Sequence, residues 1–137
     1  MRSSDPRTAT EVRYLLDTTF LIDHANRDTA ATDLLRRLFE EGNDLYTCDV
    51  VTCETMSRGE PDVLRHISAL LAALEYVSTS PAAARRAGAA RHQRHAAGGK
   101  RALGDALIAG IAAELDAVIV TRNRRDFERP GIRTLGY

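Results

Sequence analysis

The sequence predicts an α/β fold built on a parallel sheet covered by helices on both faces. Short runs of strand formers alternate with helical patterns along the whole chain. The best of those runs, AVIVT at 117–121, is nearly all apolar, as a strand buried on two faces must be. The chain has 137 residues, 44% hydrophobic and 28% charged, which suits one soluble domain with its own core.

The elements follow in order. Residues 1–11 are polar, contain Pro6 and read as a loose tail, leaving 12–137 as a single domain. VRYLLD at 12–17 is a buried strand ending on an acid. TTFLIDHAN at 18–26 follows without a turn, with Leu21, Ile22 and Ala25 at helical spacing. Residues 29–42 form an amphipathic helix, with Thr29 as a cap, a stripe of Leu34, Leu35, Leu38 and Phe39, and Gly42 as the stop. DLYTC at 44–48 is the second strand. A helix over 49–59 is capped by Asp49 and ended by Gly59, and another over 60–74 has Pro61 in its first turn. EYVSTS at 75–80 is a short strand. Residues 81–99 make a helix whose apolar side is only alanine, ended by Gly98 and Gly99. Residues 103–116 make a helix with Leu107, Ile108, Ile111 and Leu115 as its stripe and small residues suited to close packing. AVIVT is the next strand, RNRRDFERPG a turn, and IRTLGY the last strand.

Several classes are excluded. The longest apolar runs fall far short of the roughly 18 residues of a membrane span. The first residues lack the apolar core of a secretory signal. Cys48 and Cys53 are too close in sequence to suggest a disulfide framework, so a reduced, cytoplasmic protein is expected. There is no glycine-rich phosphate loop. His24, His66, His92 and His95 show no ligand spacing with cysteine. A phosphotransfer receiver would need an early pair of acids and a strand-ending lysine, and Lys100 ends no strand.

Net charge is zero, 19 acids against 19 bases, but it is split. Residues 1–62 carry 13 acids and 7 bases; residues 63–137 carry 6 acids and 12 bases. No acid falls between Glu75 and Asp105, a gap holding Arg85, Arg86, Arg91, Arg94, Lys100 and Arg101. Arginine grips phosphate bidentately and stacks on bases, which favours a nucleic-acid partner. A GC-rich genome would produce the same arginine bias.

In open parallel sheets the functional site lies beyond the carboxyl ends of the strands. The acids near those ends are Asp17, Glu54, Asp105 and Asp126. Gathered together they would repel one another unless a cation lay among them. Oxygen ligands without His or Cys favour Mg²⁺ or Mn²⁺ over Zn²⁺, the equipment for phosphodiester hydrolysis. Each acid also has a plainer reading. Asp17 and Asp105 stand where helix caps stand, Glu54 suits a solvated helix face, and Asp126 suits a turn. Spacing does not choose between these.

Three segments carry a resemblance: YLLDTTFLID, TCDVVTCETMSRG, and LGDALIAGIAAELDAVIVTRNRRDFERPGIRTL. They resemble the motifs of PIN domains, and more narrowly the VapC toxins of bacterial toxin–antitoxin pairs, over about residues 13–136. The most specific part is GDALIA, a helix, and then a strand running into VTRNRRDF. The resemblance implies a PIN-like three-layer α/β/α sandwich with a central, mostly parallel sheet of four to five strands. It implies an Mg²⁺-dependent endoribonuclease, with Mn²⁺ as a substitute, an RNA substrate, a cognate antitoxin, a homodimer and no membrane.

By position it places the family's acids on Asp17, Glu54 and Asp105, with Asp17 and Asp105 holding the metal. The fourth position falls on Asn123 or Asp126. Thr18, Asp23, Thr121 and Asn123 would support the ligands, and Thr19 stands where relatives carry Ser or Asn. Arg85, Arg86, Arg91, Arg94 and Arg122 are the candidates for holding RNA. The alternative is a non-catalytic PIN-like module that only binds RNA or protein. The presence of Asp17, Glu54 and Asp105 together argues against it.

Overall fold

A computed structural model describes residues 12–99 and 102–137. The expected tail at 1–11, with Lys100 and Arg101, lies outside the described residues. Five strands form one wholly parallel sheet: β1 (Arg13–Leu16), β2 (Asp44–Cys48), β3 (Glu75–Val77), β4 (Val118–Val120) and β5 (Arg133–Leu135). Their order is β3-β2-β1-β4-β5. The connecting helices are α1 (Thr18–Ala25), α2 (Thr29–Glu40), α3 (Asp49–Met56), α4 (Pro61–Ala73), α5 (Pro81–Ala96) and α6 (Leu103–Leu115). This is the three-layer α/β/α sandwich expected. The chain steps from β1 to β2 to β3 in one direction, then returns to β4 on the far side of β1. With right-handed crossovers, that reversal puts α1–α4 on one face and α5–α6 on the other.

The central strands β1 and β4 are apolar where the helices cover the sheet. Leu15, Leu16, Ile119 and Val120 are all fully buried, so both faces of β1 and β4 are covered. Leu34, Leu35 and Leu38 bury the inner face of α2, but Phe39 is 46% exposed at the end of that helix. Thr29 is not the cap of α2: the Asp28 carboxylate accepts from the Ala31 N–H at 2.9 Å, one residue earlier than expected. Ser80 caps α5 in the same way, accepting from the Ala83 N–H at 3.0 Å.

Alanine on the inner side of α5 lets it approach α6 closely, with Ala83 and Ala87 buried. The tightest point is Gly110. A Cβ there would overlap the Ala83 carbonyl oxygen and stand 3.2 Å from its carbon, against backbone that has nowhere to move. Gly110→Ala should therefore cost about 1–3 kcal/mol as an overpacking substitution. The expected result is a melting temperature several degrees below that of the unsubstituted protein. An unchanged melting temperature would mean that the helices tolerate greater separation.

The reversal of strand order falls between β1 and β4. In a parallel sheet, neighbouring connections leave on opposite faces at such a point and open a crevice beyond the carboxyl ends. The residues that follow β1 and β4 line it first, and these are Asp17 and Thr121.

Candidate active site

The pairing of β1 with β4 continues one residue past the strand, where the Asp17 N–H donates to Val120 O at 2.9 Å. Asp17 stands at the cap position of α1, yet its side chain makes no capping bond. Its carboxylate instead turns to β4: Oδ2 accepts from Thr121 Oγ1 at 2.8 Å and from Thr19 Oγ1 at 3.2 Å. Each hydroxyl is itself fixed by a backbone donor. The Asn123 N–H donates to Thr121 Oγ1 at 3.0 Å, and the Arg122 N–H to Thr19 Oγ1 at 3.2 Å. Both residues that follow Thr121 thus orient the donors that hold Asp17.

Asp17 is 4% exposed, and among the described residues no basic side chain pairs with it. Burial pushes its carboxyl pKa up, the bonds from Thr121, the Thr18 N–H and Thr19 pull it down, and the Glu54 charge adds to the rise. An ionised carboxylate in this position is costly unless a cation joins it.

Glu54 comes from α3 on the other side of β1. Thr18 Oγ1 donates to its Oε1 at 2.7 Å. Its Oε2 lies against Gly104 in the first turn of α6, one residue before Asp105. Asp105 is half-buried in that first turn, three residues beyond the actual cap position, Ala102. The α3–α6 contact therefore brings the Glu54 carboxylate to the start of the helix that carries Asp105.

Past Thr121 the chain makes a short 3₁₀ turn, Arg124–Phe127, anchored by buried Phe127. Asp126 is exposed there and, with Asn123, lines an open depression bordered by Arg122, Arg124, Arg125 and Glu128. Neither Asp17 nor Glu54 lines it. Among the described residues no three His, Cys, Asp or Glu side chains form a group that could hold a metal ion. What is assembled is the neighbouring pair Asp17 and Glu54. The side chains that touch the two carboxylates, Thr18, Thr19 and Thr121, offer hydroxyl oxygen, and this set fits a hard divalent cation.

Asp23 lies one turn along α1 from Thr19. Its Oδ1 pairs with Arg122 Nη1 at 2.7 Å, and its Oδ2 accepts from the Tyr137 hydroxyl at 2.6 Å. Tyr137 also stacks edge-to-face on Phe20, with ring centroids 5.1 Å apart. Burial and the bond to Asp23 raise its hydroxyl pKa. Nothing in the sequence singles out Tyr137, because its partners lie more than 100 residues earlier. Arg122 is thus engaged with Asp23 on the rim of the site. Arg86 pairs with Glu114, Arg85 is exposed on α5, and Arg91 and Arg94 lie further along the same helix.

The model of the PIN domain family matches residues 14–132. Ribonuclease VapC19 of Mycobacterium tuberculosis (strain ATCC 25618 / H37Rv) is 30% identical over 115 residues, spanning 82% of this chain and 90% of that protein. A chain in the crystal structure of VapBC2 from Rickettsia felis, bound to a DNA fragment from its promoter, matches with a TM-score of 0.78. It covers 92% of this chain and 99% of that one at 22% identity. A chain of DNA-bound VapBC from Salmonella typhimurium matches with a TM-score of 0.75, covering 91% and 98% at 24% identity. At those identities the two structures speak for the fold alone. With the family model over most of its length and a VapC relative over nearly all of that protein, the chain belongs to the PIN-domain family, in its VapC branch.

Proposed function

We propose that the chain is a divalent-metal-dependent endoribonuclease and the toxin of a VapBC-type toxin–antitoxin pair. The observation that carries this reading is Asp17: a buried carboxylate at the switch point of the sheet, held by two hydroxyls, beside Glu54, and paired with no basic side chain among the described residues. Asp17 and Asp105 would hold the ion, Mg²⁺ or in its place Mn²⁺, with Glu54 and Asp126 assisting. Such an ion, when bound, supplies an activated water and neutralises charge developing on the phosphate.

The chain's own residues do the rest. Thr121 and Thr19 fix the Asp17 carboxylate so that little reorganisation is needed on binding. Thr18 fixes Glu54. The arginines of α5, Arg85, Arg86, Arg91 and Arg94, with Arg122 at the rim, would contact the RNA backbone. An antitoxin would cover the acidic crevice, and a second copy of the chain would complete a homodimer. Free Cys48 and Cys53 suit a cytoplasmic setting. No helix among the described residues is long and apolar enough to cross a membrane.

Expression in a bacterial host tests the proposal. The expected result is growth arrest that Asp105→Asn relieves and that co-expression of the partner antitoxin also relieves. Arrest of equal strength with Asp105→Asn would overturn it.

A further inference from the structure

We infer that Gly104 is a positioning residue for Glu54: its lack of a side chain creates the slot that holds the Glu54 carboxylate between Thr18 and the first turn of α6. The inference rests on the metal-site reading above. Gly104 is the second residue of α6, inside a helix, where glycine is a poor choice beside alanine. Its φ is not in the left-handed region, so the backbone does not demand glycine. What excludes a side chain is Glu54. A Cβ at position 104 would overlap Glu54 Oε2 and stand 3.1 Å from Cδ.

The other carboxylate oxygen, Oε1, accepts from Thr18 Oγ1 at 2.7 Å. The carboxylate is thus fixed on one side by a hydroxyl and received on the other by the open face of Gly104. A methyl group at position 104 meets the tip of a flexible side chain, not backbone. The half-buried glutamate would swing away and the helices would stay in place. The consequence is a displaced acid in an intact fold.

The test compares the unsubstituted protein with Gly104→Ala, Glu54→Asp and the double variant. Three measurements are made on each: melting temperature in EDTA, Mn²⁺ affinity by calorimetry, and the ¹³C resonance of the residue-54 carboxyl. Gly104→Ala should melt at the same temperature or higher, because alanine is the better helix former. It should bind Mn²⁺ about tenfold more weakly, the scale seen when support of a ligand is lost. Its Glu54 resonance should move. In the Glu54→Asp background, where the shorter side chain no longer fills the slot, adding Gly104→Ala should cost little more.

A Gly104→Ala protein with unchanged Mn²⁺ affinity and an unmoved Glu54 resonance would overturn the inference. So would a lower melting temperature that accounts for the loss. If the unsubstituted protein binds no Mn²⁺, the metal-site reading fails. The resonance, which needs no metal, then still decides whether Gly104 positions Glu54.

Discussion

Asp17→Asn is expected to abolish RNA cleavage and to raise thermal stability at neutral pH. Both effects come from one buried charge. Asp17 is 4% exposed, and its burial raises the carboxyl pKa. The folded state therefore holds the proton more tightly than the unfolded chain. The stability this contributes is fully present below the unfolded value, near 3.8, and is lost as pH rises through the raised folded value. At pH 7, above the unfolded value, this raised carboxyl group is a net cost to folding, and a neutral amide removes it.

The same substitution deletes the charge that would hold the ion. Loss of a supporting partner alone costs roughly 10–100-fold in metal affinity or activity, and loss of a ligand should exceed that. Melting curves in EDTA at pH 7 and at pH 3, with a cleavage assay, check both effects. The variant should melt above the unsubstituted protein at pH 7, with the gain shrinking at pH 3. Mg²⁺ should stabilise the unsubstituted protein and leave the variant unmoved. A variant that melts lower at pH 7, or one that still cleaves, would contradict this account.

How far the sequence reveals this site depends on how local each contact is. Asp17 is legible because an apolar run of strand formers ends on it, and strand ends in a parallel sheet point to function. Its choice between capping and binding is not legible, because that is decided by Thr121, 104 residues away. Glu54 sits on a helix whose sequence looks like an ordinary half-solvated surface. Its partners Thr18 and Gly104 come from α1 and α6, so only the tertiary fold separates it from a solvated glutamate.

Thr19 reads as a small departure from its relatives' Ser or Asn. In the fold its hydroxyl bonds to Asp17 and accepts from the Arg122 N–H, as a serine's would. The cap of α2 is missed by one residue because Asp28 and Thr29 are adjacent capping types and only the bond to the Ala31 N–H separates them. Phe39 follows the spacing of the apolar stripe yet lies at the last turn of α2, where the core no longer covers it.

The placement of Arg122 shows the same limit. As a cation beside a strand end it reads as a contact for RNA. In the fold it pairs with Asp23, whose other oxygen takes the Tyr137 hydroxyl, and its own backbone N–H supports Thr19. A residue read for its charge thus also serves the site through its backbone.

We propose that the acids at the carboxyl edge of β1 and the start of α6 form a metal-dependent nuclease site. The measurement that tests it most directly is RNA cleavage by the purified, antitoxin-free protein, first in EDTA and then after addition of Mg²⁺, Mn²⁺ or Zn²⁺. Oxygen-only donors predict no cleavage in EDTA, full recovery with Mg²⁺ or Mn²⁺, and none with Zn²⁺ alone. Asp105→Asn should block recovery by roughly 100-fold or more. Cleavage that continues unchanged in EDTA would contradict the account and place the chemistry on other residues.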